Sequence, residues 1–253
     1  MVSSATTEKS ISDNNFVERF VQNKERVVIA GMFDRIAWRY DFLNHFFSFH
    51  IDKLWRRKAV DELRGQTLGE VLDVATGTAD LALTLHQRLC PKHITGIDIS
   101  EGMLAVGRQK IKKKGLESQI SLIWGDSEAI PFDDHLFDAV TVAFGVRNFE
   151  RFERGLCEML RVLKPGGKAV ILEFSNPQNR IFRNVFHFYF FRIVPFVGRW
   201  ASKDTQAYNY LPASVSSFPH GVEFRSRMEN CGFSDVRVRP LSFGIASIYT
   251  GRK

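Results

Sequence analysis

Residues 71–80, Val-Leu-Asp-Val-Ala-Thr-Gly-Thr-Ala-Asp, constrain the fold more than any other stretch of this chain. An apolar run breaks at a turn of small residues and helical spacing resumes over 81–89, the pattern that opens a parallel nucleotide-binding sheet. The next apolar run ends at Asp98, about 20 positions on, where an acidic side chain takes ribose hydroxyls. The turn carries Gly77 but not a full G-x-G-x-x-G, and Asp73 and Asp80 flank it. A pyrophosphate would meet like charge there instead of bare amides and a helix dipole. The expected ligand is therefore cationic and built on adenosine. S-adenosylmethionine, with an ammonium, a sulfonium and no phosphate, meets that description.

Strand and helix patterns then alternate. Strands are expected at 70–75, 93–98, 120–125, 138–144 and 168–174, with helices at 81–89, 102–114 and 152–163 between them. Such alternation means an α/β fold with a parallel sheet covered on both faces. Lys164-Pro165-Gly166-Gly167 stops the third of these helices and turns the chain into the fifth strand. Two closing strands, 236–240 and 245–250, lie too close in sequence for a crossover helix and should form an antiparallel hairpin at the edge, making seven strands. Ahead of the sheet, residues 16–26 and 31–59 have helical spacing with a bend near 44–52. Residues 1–15 read as a mobile polar tail, 16–64 as a helical extension and 176–219 as an aromatic insertion within one domain spanning 16–253.

The formal charge of +7 invites an anionic partner, yet the basic residues sit in short clusters such as Arg56-Arg57-Lys58 and Lys112-Lys113-Lys114. That pattern disfavours nucleic acid and leaves an anionic membrane surface open. Cys90, Cys157 and Cys231 form no metal-spaced set and suit a reducing cytoplasm, so no metal is expected. Within 181–200 many aromatics alternate with Arg183, His187, Arg192 and Arg199. This is too charged to span a membrane, which takes ~20 mainly apolar residues, but fits a cap over an isoprenoid tail resting on a membrane.

Ligands of an open parallel sheet bind beyond the carboxyl ends of its strands. Those ends carry Asp73, Thr76, Gly77 and Thr78, then Asp98, then Asp126 and Ser127, which together are the expected cofactor site, with Asp126 placed to accept from an adenine amino group. Arg147-Asn148 follows the fourth strand. A permanently charged guanidinium there would stabilise a developing oxyanion, since arginine is no base at neutral pH. Ala79 would be strained if the turn demands positive φ.

Tyr40-Asp41-x-x-Asn44 with Ser48 and Trp55, the run 161–167 leading to Leu172-Glu173-Phe174-Ser175, Phe144-Gly145-x-Arg147-Asn148, and Asp204-x-x-x-Tyr208-x-Tyr210-Leu211-Pro212 resemble the ubiquinone/menaquinone biosynthesis C-methyltransferase family. The likeness covers nearly everything from Phe33 to Lys253. It implies a class I, Rossmann-like fold and S-adenosylmethionine-dependent methylation of a polyprenylated quinol, converting demethylmenaquinol to menaquinol. Cofactor contacts carry over to Thr78, Asp98, Asp126 and Ser127. Ala79, Leu43, Asp52 and Ala143 depart from family residues: glycine, methionine, histidine and, in some members, serine.

Carbon methylation needs an electron-rich ring, so the substrate should be the reduced quinol, held by Arg147, Asn148 and Tyr40. Two other readings stay open: methylation of the 2-methoxy-6-polyprenyl-benzoquinol precursor of ubiquinone, and a non-catalytic scaffold of a quinone-synthesis complex. The absence of a Tyr-Lys or His-Asp proton-transfer set disfavours an NAD-dependent oxidoreductase. Monomer and homodimer are both compatible with the sequence.

Overall fold

In the computed structural model, residues 26–177, 179–189, 192 and 205–253 are described. The expected tail at 1–15, most of the expected first helix at 16–26 and part of the aromatic insertion lie outside them.

Two helices precede the sheet, α1 (Arg26–Phe47) and α2 (Ile51–Asp61), separated where Phe49 and His50 adopt positive φ. The sheet then builds by β1 (Glu70–Val74), α3 (Asp80–Leu89), β2 (His93–Asp98), α4 (Glu101–Lys113), β3 (Ile120–Trp124), β4 (Phe137–Ala143), a 3-10 turn (Val146–Asn148), α5 (Phe152–Val162) and β5 (Leu163–Phe174). Next come α6 (Arg180–Phe188), α7 (Thr205–Ser217) and α8 (Val222–Asn230), then β6 (Ser234–Leu241) and β7 (Ala246–Arg252).

The seven strands lie in the order β3-β2-β1-β4-β5-β7-β6. β1 to β5 run parallel, and β7 is antiparallel to both β5 and β6, so the closing hairpin sits at the edge with its second strand innermost. This is the seven-stranded, doubly covered sheet of the class I methyltransferase fold.

Burial follows the two-residue period of the strands. Val71, Ala139, Val170 and Leu172 face one core with Trp55, Leu63, Leu85 and Leu104, while Leu72, Val74, Val140 and Ile171 face another with Leu156, Met159 and Phe224. The sheet thus separates α2, α3 and α4 from α5 and α8.

The expected turn before the fifth strand takes the form of a wide bulge. Phe137 pairs with Leu163 and Ala139 already with Lys168, so residues 164–167 loop out of the ladder. Gly166 has φ 78°, and a Cβ on Gly167 would lie 2.8 Å from the Lys164 carbonyl, which fixes two glycines at this point.

The described part of the insertion returns to the front of the molecule. Tyr210 of α7 joins Ile29 and Met32 of α1 in a small buried cluster, and Phe186 of α6 joins Val215. Among the described residues no helix is long and apolar enough to cross a membrane.

Candidate active site

The turn after β1 holds itself in a conformation that side chains resist. Ala75, Gly77 and Ala79 all have positive φ, at 49°, 56° and 66°. The expected strain at Ala79 is therefore present, at a residue with no exposed surface. The turn is closed by Ala79 N–H donating to Thr76 O at 2.9 Å and tied to β2 by Thr76 N–H donating to Ile97 O at 3.0 Å. Gly145, after β4, comes so close that a Cβ would sit 2.6 Å from Ala75 Cβ.

The two carboxylates that flank the turn do not face a ligand, which corrects the charge argument drawn from them. Asp73 lies beneath the turn, fully buried, accepting from Thr76 Oγ1 at 2.6 Å and Thr141 Oγ1 at 2.8 Å. Burial pushes its pKa up to about 6. Asp80 points toward α2 and α4, 2.5 Å from Lys110 Nζ and 3.9 Å from an Arg56 nitrogen. Burial opposes its ionisation, but Arg56 and Lys110 outweigh that and hold it below the usual carboxylate range. Neither carboxylate therefore lines the cavity beyond the strand ends. The turn's own amide is engaged instead: Gly77 N–H donates to Asp98 Oδ2 at 2.8 Å, and Ser100 N–H to Asp98 Oδ1 at 2.9 Å. A carboxylate of the protein itself thus stands where an anion would.

Four of the expected cofactor residues, Gly77, Asp98, Asp126 and Ser127, line one cavity beyond the strand ends. Asp73, Thr76 and Thr78 do not. Asp73 and Thr76 brace the turn from below, and Thr78 donates through its hydroxyl to Asp41 and lies 3.1 Å from Lys110 Nζ. Asp98 carries a pKa raised to about 6 by burial, and with Gly77, Ser100 and Ile99 donating to it from the backbone its carboxylate keeps one lone-pair position for a further donor. Asp126 is already engaged: Glu128 N–H donates to Oδ1 at 2.8 Å, and Arg26 binds the other oxygen. Arg26 also reaches Glu128 at 3.3 Å and Glu150 at 3.2 Å, drawing α1 over the cavity mouth. Nothing in the sequence pattern singled out Arg26, because its three partners lie a hundred or more positions away.

A second, larger cavity of about 300 Å³ adjoins the first, sharing Phe33, Tyr40 and Phe144 with it. Its walls are largely aromatic and aliphatic, from α1, α2, α6, α7 and the ends of β4 and β5. Arg147 and Tyr40 line it, whereas Asn148 lines the cofactor cavity. Tyr40 is kept neutral: burial raises its pKa, with Arg147, an Asn44 hydrogen bond and Arg56 pulling only partly the other way. Asn148 Oδ1 accepts from the Tyr210 hydroxyl at 3.0 Å.

Arg147 is not the bare cation the sequence suggested. Its Nη1 lies 2.9 Å from Glu173 Oε1 and also donates to Phe144 O, and its guanidinium carbon sits 5.4 Å from the centre of the Phe174 ring. Glu173 has no exposed surface. The pair is neutral overall, so Arg147 offers oriented N–H groups more than net charge. A glutamate directly after the apolar run Val170-Ile171-Leu172 was the available signal for such a partner.

These residues fit S-adenosylmethionine. Glycine opens the turn for close approach, and carboxylates at two successive strand ends line the same cavity. The sequence profile of the ubiE/COQ5 methyltransferase family matches residues 20–253. The chain belongs to this family. Within the ubiE/COQ5 family, it is 50% identical over 236 residues, 93% of this chain and 91% of its relative, to the ubiquinone/menaquinone biosynthesis C-methyltransferase UbiE of Geobacter sulfurreducens. It is 45% identical over 230 residues, 91% and 94% of the two chains, to the demethylmenaquinone methyltransferase of Bacteroides fragilis.

Solved structures share the fold. A SAM-dependent methyltransferase of Thermotoga maritima, described as a possible histamine N-methyltransferase, superposes with TM-score 0.62 at 20% identity, covering 89% of this chain and 99% of that one. A Haemonchus contortus phosphoethanolamine N-methyltransferase in complex with S-adenosyl-L-methionine gives 0.58 at 13% identity, covering 78% and 52%. The family assignment makes this chain a SAM-dependent C-methyltransferase of quinone biosynthesis.

Proposed function

We propose that this chain methylates a ring carbon of demethylmenaquinol to give menaquinol, binding the polyprenylated quinol in the aromatic cavity. The observation that carries this reading is the adjacency of the two cavities. The polar cofactor cavity and the apolar one meet at Phe33, Tyr40 and Phe144, so an aromatic ring can lie against the donor. S-adenosylmethionine, when bound, supplies an electrophilic methyl group. The protein's part is mainly to hold the ring in line and exclude water, which contributes several kcal/mol. Neutral Tyr40 and Arg147, which Glu173 holds in place, offer hydrogen-bond donors to the ring oxygen and stabilise the negative charge that develops there as the ring carbon attacks.

The test is methyl transfer from labelled S-adenosylmethionine to reduced short-chain naphthoquinol and benzoquinol analogues. The naphthoquinol is expected to be the better acceptor. Transfer to neither overturns the reading, and transfer to the benzoquinol alone moves it to the ubiquinone precursor.

The same proposal places the enzyme against an anionic membrane surface. Trp38, Phe42 and Phe46, spaced four apart on α1, are exposed at 69%, 68% and 53%. Phe49 and Phe182 are also exposed and line the aromatic cavity. Arginines 35 and 39 on the same helix suit lipid headgroups. Sedimentation with anionic liposomes at low salt, reversed at high salt, is expected; no sedimentation at low salt counts against it.

A further inference from the structure

The roles given to Tyr40 and Arg147 leave unused a polar cluster in the wall of the aromatic cavity. Ser48, at the start of the turn after α1, and Asp52 and Arg56, one helical turn apart on α2, all line it. Asp52 is 4% exposed. Its Oδ1 accepts from Ser48 Oγ at 2.6 Å, and its Oδ2 accepts from His45 Nδ1 at 2.7 Å and from Arg56 Nη1. Burial works against its charge, but Arg56, the Ser48 hydroxyl and His45 outweigh it and hold the pKa below the ordinary value, so the group is an ionised acceptor throughout the physiological range.

A carboxylate has about four lone-pair positions and, when ionised, no proton to give. Three are occupied here. What remains is one acceptor position on a buried anion in the wall of a largely aromatic and aliphatic cavity. A ligand that brings a hydroxyl satisfies it, and a ligand that brings a carbonyl oxygen sets a partial negative charge against a full one. A quinol and its quinone differ in that respect while sharing ring, tail and nearly all their volume.

Resting on the function proposed above, we propose that Asp52 selects the redox state of the substrate, its carboxylate accepting a hydrogen bond from a quinol hydroxyl and rejecting the quinone carbonyl. Ser48, His45 and Arg56 are positioning residues that fix the carboxylate and keep it charged. Arg56 is held from its far side by Asp80, at 3.9 Å, so replacing Asp52 does not leave the guanidinium without a counter-charge. The consequence is a filter at the binding step. In a pool containing both forms, the unreactive quinone would otherwise compete for the site throughout turnover.

The experiment measures binding, by anaerobic calorimetry on protein loaded with S-adenosylhomocysteine. Its probes are a 2-prenyl-1,4-naphthoquinol, the matching quinone and the quinol's dimethyl ether. Wild type is expected to bind the quinol on the order of 10²-fold more tightly than either the quinone or the ether, since sites built around a substrate hydroxyl discriminate strongly against analogues lacking it. Asp52→Asn, whose amide can donate to a carbonyl, should bring quinol and quinone within about threefold of each other, with S-adenosylhomocysteine affinity and circular dichroism unchanged. Asp52→Glu should retain most of the preference.

Asp52→Asn keeping the wild-type ratio overturns the proposal. So does wild-type protein binding the ether as tightly as the quinol, a measurement that needs no variant to fold. If wild type binds the quinol but shows either of these results, the filter alone is wrong. If it binds none of the three probes, the substrate reading itself falls and takes the filter with it.

Discussion

The two cavities that meet at Tyr40 are built in different ways. The cofactor cavity is drawn mainly from short stretches that follow strands: the turn after β1, Asp98 at the end of β2, Asp126 and Ser127 after β3. Parallel strands in register place those ends side by side, so residues far apart in sequence arrive together because the hydrogen-bonded ladder requires it. The aromatic cavity has no such frame. Its walls come from α1, α2, α6 and α7 as well as the sheet, and side-chain packing alone sets their relation. A backbone-built site specifies its ligand sharply and tolerates little change. A site between packed helices can change its lining while the fold stands.

Three substitutions sharpen or break this contrast. Arg147→Ala strips the partner from Glu173, a buried carboxylate, and should destabilise the protein by about 3–5 kcal/mol in chemical denaturation. Pairing it with Glu173→Gln should restore most of that stability. The double variant isolates the site effect: methyl transfer is expected to fall on the order of 10²-fold with S-adenosylmethionine affinity unchanged. Near wild-type turnover of the double variant would break the assignment of Arg147 to the substrate.

Asp98→Asn tests the other side. Losing a charged acceptor for a ribose hydroxyl should weaken S-adenosylmethionine binding about a hundredfold, read by calorimetry, while quinol binding holds. The same carboxylate predicts a pH effect. It must be ionised to accept a further donor and its pKa is raised to about 6, so cofactor affinity should be level above that pH and fall as pH drops through it. The asparagine variant should lack this dependence on Asp98. Asp73, also near 6, contributes to stability in the sense set by its burial. The fold favours its protonated form, so the stability it supplies is present at low pH and lost as pH rises through about 6.

Ala79→Gly should have the smallest effect. Removing the Cβ relieves a residue at φ 66°, worth about 1–2 kcal/mol, but also gives up a buried methyl worth ~0.8 kcal/mol. A net gain below about 1 kcal/mol, seen as a rise of a few degrees in Tm, is expected. A clear loss would mean the methyl packs more tightly than its strain costs.

Much of the sheet was legible in the chain because strand and helix periods are local. The expected strand at 93–98 is the observed β2, that at 120–125 overruns β3 by one residue, and that at 138–144 is offset from β4 by one residue at each end. The cofactor residues were legible only in part. Asp98, Asp126 and Ser127 could be placed at the cavity because a strand end opens on it whatever lies around it. Asp73 and Asp80 were read as bare charges at the turn, and Asp73 as a cofactor residue, because sequence shows a charge but not its counter-charge. Arg56 and Lys110 neutralise one of them, and the hydroxyls of Thr76 and Thr141 hold the other.

On the substrate side the chain announced aromatics and arginines without saying which of them would meet. Glu173 against Arg147, Asp52 between Ser48, His45 and Arg56, and Arg26 across three carboxylates are all products of packing. By itself, then, the sequence determined an α/β sheet with a glycine turn and acidic strand ends, since backbone periodicity and turn geometry act over a few residues. The tertiary structure decided which charges are bare, which are paired and which face the cavity, because electrostatic partners are chosen by distance in space.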